Sequence, residues 1–167
     1  MILRNIFRFF WVVALQVLLF NHIQFSGYIN PYFYILFILL LPINTPAWLR
    51  LLSGFLIGYT IDIFSQSPGL HAAASVLIAF IQPHIISALK TKGDVDPAKE
   101  PKLAYMGFKW FINYSALLIL IHHSFYFLLE VFRFSNFLDT LYRILLSSFI
   151  TFIAILLSQL FNYKKPQ

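Results

Sequence analysis

The sequence predicts an all-α integral membrane bundle of six transmembrane helices, a single domain over 1–167, and three observations predict it. The first is composition: 60% of the 167 residues are hydrophobic and only 11% are charged, where a soluble domain has roughly 45–50% apolar and about 25% charged residues. The second is the recurrence of long apolar runs, at 3–21, 31–43, 46–65, 68–89, 104–131 and 137–161. The third is where the cations fall. An even number of spans puts both termini and the 2–3 and 4–5 loops on one side, and ten of the twelve Lys and Arg residues lie there. By the positive-inside rule that side is the cytoplasm.

Taken in order, Arg4 and Arg8 open an apolar run to Asn21 that has Gln16 inside it. Phe25-Ser26-Gly27 is not a small-x-small cleavage site, so this run reads as an uncleaved first helix. The loop 21–30 has no Lys or Arg, and its Gly27 is expected to tolerate substitution. Asn30-Pro31, Thr45-Pro46 and Ser67-Pro68 each read as a capping residue followed by Pro at the first helical position. The second span is the shortest. A dozen residues from Pro31 to Pro42 reach about 18 Å as a helix, against a hydrocarbon core of about 30 Å. Gln82-Pro83-His84 predict a kink in the fourth span, and Lys90–Lys102 is a polar loop. The sixth span ends before Lys164-Lys165.

The stretch from Pro46 to Pro83 organises the chain. At about 100° per residue, Gly54, Gly58, Asp62 and Ser65 fall within roughly 80° of arc on the third helix. Ala72, Ser75, Ala79 and Pro83 form a matching small-residue stripe on the fourth. Two such faces joined by a turn at Ser65–Gly69 predict an antiparallel hairpin with touching backbones. Asp62 then sits at or beside the seam, near the C-terminal end of its helix, where the dipole disfavours an anion. A partner is expected, and Arg143 and His71 are the candidates at that depth. Three roles stay open for Asp62: a solvated interfacial carboxylate, a polar anchor shaping a pocket or partner site, and a proton relay. As an anchor, Asp62→Asn is expected to do less than Asp62→Ala.

The string Gly54-Phe-Leu-Ile-Gly58-x-x-x-Asp62-x-x-Ser65-x-x-x-Gly69-Leu70 resembles the signature of the bacterial rod shape-determining family MreD. The upstream Pro31-Tyr32, the length and the hydropathy profile are similar as well; motif likeness covers about residues 31–83. His71 and the compact Ser67-Pro68-Gly69 turn depart from the pattern. The resemblance implies a subunit of the cell-elongation machinery in the bacterial cytoplasmic membrane. It implies binding to the single-span protein MreC and, through it, a link from MreB filaments to the wall-synthesis glycosyltransferase and transpeptidase. It also implies a fold similar to the membrane substrate-binding subunits of energy-coupling-factor transporters. That likeness supplies the alternative, a small-molecule-binding transporter subunit. The candidate packing, partner or pocket residues are Gly54, Gly58, Asp62, Ser65, Pro68, Gly69, His71 and Arg143.

Other chemistry is thinly represented. The chain has no Cys, which excludes disulfides and thiolate metal sites. His122-His123 are adjacent and diverge by about 100° on a helix, so they do not converge on one ion. Glu130 and Asp139 with Arg133 and Arg143 read as an ion-pair rim. No nucleophile elbow, phosphate loop or carboxylate pair is present, so neither an enzyme nor a cofactor site is expected. The net charge of +6 lies beside apolar spans, where it sets topology and does not mark nucleic-acid binding. Aromatic groups such as Tyr32-Phe33-Tyr34 are expected at lipid-facing and interfacial positions, with a docking surface for a helix of another membrane protein as the alternative.

Overall fold

The computed structural model describes residues 2–23, 29–89, 99–131, 137–161 and 163. The loop around Gly27, residues 90–98, Arg133 and Lys164-Lys165 lie outside the described residues. The described chain is helical without strands. Its elements are α1 (Ile2–Leu18) with a 3-10 turn (Phe20–His22), α2 (Ile35–Leu39), α3 (Ala47–Ser65), α4 (Leu70–Ala88), α5 (Leu103–Met106), α6 (Phe108–Val131) and α7 (Phe137–Phe161). Five helices are long and apolar enough to cross a membrane: α1 with its 3-10 extension, α3, α4, α6 and α7. Their outward faces carry large apolar side chains such as Phe7 and Trp11 on α1, Trp48 and Phe55 on α3, and Phe149 on α7. That much exposed apolar surface suits lipid. This is a multi-pass membrane protein.

The helix starts differ from those predicted. None of the three X-Pro pairs opens a helix with Pro at the first helical position. After Asn30-Pro31 no helix forms until Ile35. Pro46 itself is the residue before α3, and Thr45 turns its hydroxyl back to the Pro42 carbonyl at 2.6 Å. Gly69, two residues beyond Ser67, precedes α4 with φ +82°. The predicted span 104–131 is divided at Gly107, whose φ of +84° ends α5 before α6 begins. Across Pro83, by contrast, α4 continues to Ala88.

The largest departure is the second span. Over 31–43 only the five residues of α2 are helical, yet Pro31 to Pro42 is buried throughout. The segment threads the interior of the bundle. It starts beside Gln16 and Thr151, passes Gln82 and Tyr114, and ends beside Arg8. Irregular backbone at membrane depth is tolerated only where protein surrounds it and satisfies its polar groups. Here side chains from four helices do so. The amides of Asn30, Tyr32 and Tyr34 donate to Ser147, Thr151 and Gln16 at 3.1, 2.9 and 3.2 Å. Gln16 donates in return to the Pro31 carbonyl at 3.1 Å. The carbonyls of Ile38, Leu39 and Leu40 accept from Gln82, Tyr114 and Arg8 at 2.9, 2.9 and 3.0 Å. Tyr32, Phe33 and Tyr34 are therefore core residues, 5%, 5% and 0% exposed, and do not face lipid as expected.

Where this segment leaves the interior, a buried carboxylate locks the bundle end. Glu100 is 1% exposed and takes Arg4 and Arg8 on Oε1, both at 2.7 Å, and Lys102 on Oε2 at 2.6 Å. Arg8 spans the two systems, since its other terminal nitrogen holds the Leu40 carbonyl. Burial pushes the Glu100 carboxyl up, but hydrogen bonds from Lys102 and Arg8 outweigh it and hold the group below the usual carboxylate range. A folded-state value below the unfolded one contributes stability above the ordinary carboxylate range, and this is lost as pH falls through the folded value. Thermal unfolding in detergent is expected to show a midpoint that declines on acidification from about pH 5 to about pH 3. Glu100→Gln lowers the midpoint at neutral pH and flattens the decline; an unchanged slope contradicts the assignment.

Candidate functional site

The small faces of α3 and α4 meet as their spacing predicts. A Cβ built on Gly54 would stand 2.9 Å from the Ala79 Cβ and 3.0 Å from the Ser75 carbonyl oxygen. At Gly58 it would stand 2.5 Å from the His71 carbonyl oxygen and 2.6 Å from the Ala72 Cα. Even alanine at 58 pushes backbone against backbone, so Gly58 sets the approach of the two helices more strictly than Gly54. Gly54, Gly58 and Asp62 are buried on this seam, while Pro68 is exposed in the turn. Ser65 is exposed too, and accepts from Asn21 at 3.3 Å.

Asp62 is held neither by the Arg143 guanidinium nor by the His71 imidazole. Its Oδ1 accepts from the Ser67 hydroxyl at 2.5 Å and the His71 amide at 3.0 Å, and its Oδ2 accepts from the Ala72 amide at 2.8 Å. These amides belong to the first turn of α4, whose preceding residue Gly69 has no side chain to cap them. A carboxylate on α3 thus caps α4, at the end where the helix dipole favours an anion. The unfavourable terminus of its own helix is handled separately: Gln66 turns into the left-handed region at φ 53°, and its amide and that of Ser67 close on the Asp62 carbonyl. Arg143 pairs instead with Glu130 at 2.9 Å and stacks over the Phe127 ring at 4.6 Å. It is not part of the Asp62 site. Of the predicted rim, the Glu130–Arg143 pair is present; Asp139 is exposed in the first turn of α7.

Beside the hairpin turn lies a polar cleft of about 280 Å³, lined by Gln16, Asn21, Asn30, Tyr32, Ser65, His71 and Tyr126 among others. Asp62 does not line it. Aromatic rings build its inner wall: Tyr32 meets His71 at 4.8 Å and Tyr126 at 4.9 Å between centroids. Behind it the Tyr34 hydroxyl stands 3.0 Å from His71 Nδ1 and 2.7 Å from His122 Nε2. One hydroxyl proton serves one of these, and the oxygen accepts from the other. His123 turns away: its Nδ1 donates to the Ile119 carbonyl at 2.9 Å, which leaves Nε2 to accept from the Thr151 hydroxyl at 3.2 Å. The adjacent histidines thus diverge onto separate partners. Among the described residues no group of three His, Asp or Glu side chains could hold a metal ion. The cleft can accept and donate hydrogen bonds to a small polar molecule, and the His71–Tyr34–His122 chain can pass a proton inward by one step.

Sequence reasoning missed Tyr32, Tyr34, Tyr126, Asn21 and Glu100. For the residues at the spans the available signal was polar groups interrupting apolar runs, since each needs a partner in a dry interior; Glu100, within a polar loop, carried no such signal. Fold and site define a multi-pass helical membrane protein with a carboxylate-capped hairpin and a polar cleft beside it. No family model, no curated protein and no solved structure matches the chain.

The Asp62 geometry reverses one expectation. Asparagine there turns an amide N–H₂ toward an amide or hydroxyl donor, so one buried N–H is left opposed. Asp62→Asn and Asp62→Ala are each expected to lower unfolding stability in detergent by about 1–3 kcal/mol, with Asn no milder than Ala. Wild-type stability for Asp62→Asn contradicts the cap.

Proposed function

We propose that the chain is a non-catalytic membrane scaffold of the MreD type. In this reading it is an assembly subunit of the bacterial cell-elongation machinery, with six crossings, both termini cytoplasmic, and a single-span protein of the MreC type as its direct partner. The observation that carries the reading is the α3–α4 hairpin. The string on which the resemblance rests, from Gly54 to Gly69, is a close-packed structural unit whose carboxylate is held by Ser67 in the turn and by the first amides of α4. Both oxygens of Asp62 accept hydrogen bonds inside the hairpin, which supports a role in assembly of the bundle. Six crossings are supported by the course of Pro31–Pro42, which runs from the Asn21 end of α1 back to the Arg8 end. The cytoplasmic assignment of the Arg8 end is supported by the cation count. Wide apolar faces on α1, α3 and α7 offer surface for a partner helix without polar contacts.

The cleft lined by Tyr32, His71 and Tyr126 favours a second reading, a membrane subunit that binds a small molecule as energy-coupling-factor substrate-binding subunits do. Crosslinking in native membranes followed by affinity purification separates the two. The scaffold reading expects a single-span membrane protein crosslinked to the chain, and expects Asp62→Ala to reduce its recovery in step with bundle stability. A co-purifying small molecule lost on His71→Ala, with no single-span partner recovered, overturns the scaffold and supports the transporter subunit.

A further inference from the structure

Besides the polar cleft near its C-terminal end, two further clefts lie along α1. One, of about 460 Å³, lies toward α3 and has no charged residue in its lining. The other, of about 470 Å³, lies toward α5 and α7 and is lined at one end by Arg4, Arg8 and Lys102 and along its length by Trp11, Leu15 and Phe33. Three cations there share one carboxylate, Glu100, so among the described residues two positive charges are uncompensated. Arg8 is nearly buried, at 11% exposure, and is used by Glu100 and the Leu40 carbonyl. Arg4 and Lys102 are 56% and 29% exposed and each makes a single ion pair, which leaves donors free at the mouth.

The cations stand where helices end: α1 begins at Ile2, and the same cleft includes Ser158 and Gln159 in the last turns of α7. From Arg4 to Leu15 is about 16 Å along the helix, roughly one leaflet of a hydrocarbon core about 30 Å thick. Charge at the headgroup level above an apolar channel one leaflet deep matches one chemistry. We propose that the cleft between α1 and α7 binds an anionic phospholipid, its phosphate held by Arg4 and Lys102 and one acyl chain lying against Trp11, Leu15 and Phe33. Basic pockets between membrane helices hold such headgroups elsewhere. Glu100 positions the two cations at the mouth of the cleft. The inference stands on the membrane-embedded fold and is independent of the scaffold reading.

The test uses the full chain in detergent, titrated with phosphatidylglycerol, phosphatidylcholine or inorganic phosphate, and read by native mass spectrometry and by the melting temperature. Phosphatidylglycerol is expected to be retained and to raise the melting temperature, and phosphatidylcholine is not. Replacing both cations, Arg4→Gln with Lys102→Gln, weakens phosphatidylglycerol by roughly 10- to 30-fold. Lys109→Gln, which removes an exposed cation outside the cleft, leaves binding unchanged and is the charge-matched control for Arg4→Gln alone, which weakens it. Three results overturn the proposal: equal retention of the two lipids, an equal loss in Lys109→Gln, or a melting shift that phosphate alone reproduces. If the double variant melts well below the wild type without lipid, Arg4→Gln alone is read instead, and unchanged phosphatidylglycerol binding in it overturns the site.

Discussion

Backbone amides and carbonyls in a membrane interior have no water to turn to, and the chain meets that constraint most acutely between Pro31 and Pro42. A regular helix would satisfy the segment by itself. Bracketed by prolines and too short to span, it forms five helical residues and leaves its flanks irregular. The rest of the bundle is arranged to answer those flanks. Gln16 on α1, Gln82 on α4, Tyr114 on α6, and Ser147 and Thr151 on α7 each spend a buried polar group on this one stretch of backbone. An unanswered buried amide or carbonyl costs about 1–3 kcal/mol, so these side chains fix the lateral position of four helices around a central thread. The Arg8–Glu100–Lys102 lock extends the same logic to the bundle end, where the thread emerges.

The hairpin of α3 and α4 solves a second problem in the same way. The glycines bring two backbones close enough that the start of α4 lies within reach of an α3 side chain, and Asp62 takes the cap position that Gly69 cannot fill. Close approach and capping therefore depend on each other: without Gly58 the carboxylate would not reach, and without the carboxylate two buried amides would be bare. This interdependence is why a charge deep in an apolar seam belongs to the architecture and needs no reaction to explain it. The chemistry left over is in the cleft next door, where His71 and Tyr126 line the wall and Tyr34 and His122 stand behind.

What could be read from the chain in advance follows from what local sequence encodes. Small residues at i and i+4 record a close approach directly, so Gly54 and Gly58 facing Ala72, Ser75 and Ala79 was legible. The partner of Asp62 was not, because matching carboxylates to cations and rings overlooks backbone amides nine and ten residues on. Arg143 does not reach Asp62, whereas its place beside Glu130 in the rim was legible from the sequence. The Tyr32-Phe33-Tyr34 run was placed at the lipid because inner and outer faces of a membrane helix are both apolar, and composition alone does not separate them. Isolated polar residues were the overlooked guide. Gln16 and Gln82 interrupt apolar runs visibly, and in the folded chain each answers a backbone group of the central thread.

The thread from Pro31 to Pro42 is a buried element whose backbone is bonded by side chains and short helical turns, and it is not a solvated loop. Amide hydrogen exchange of the whole protein in detergent or nanodiscs measures this directly. The account predicts protection of the Tyr32, Tyr34 and Leu36–Leu41 amides comparable to those of α3 and α4, with Tyr32 and Tyr34 losing it selectively in Thr151→Val and Gln16→Leu. Exchange of these amides within minutes in the wild type, while α3 and α4 remain protected, would contradict it.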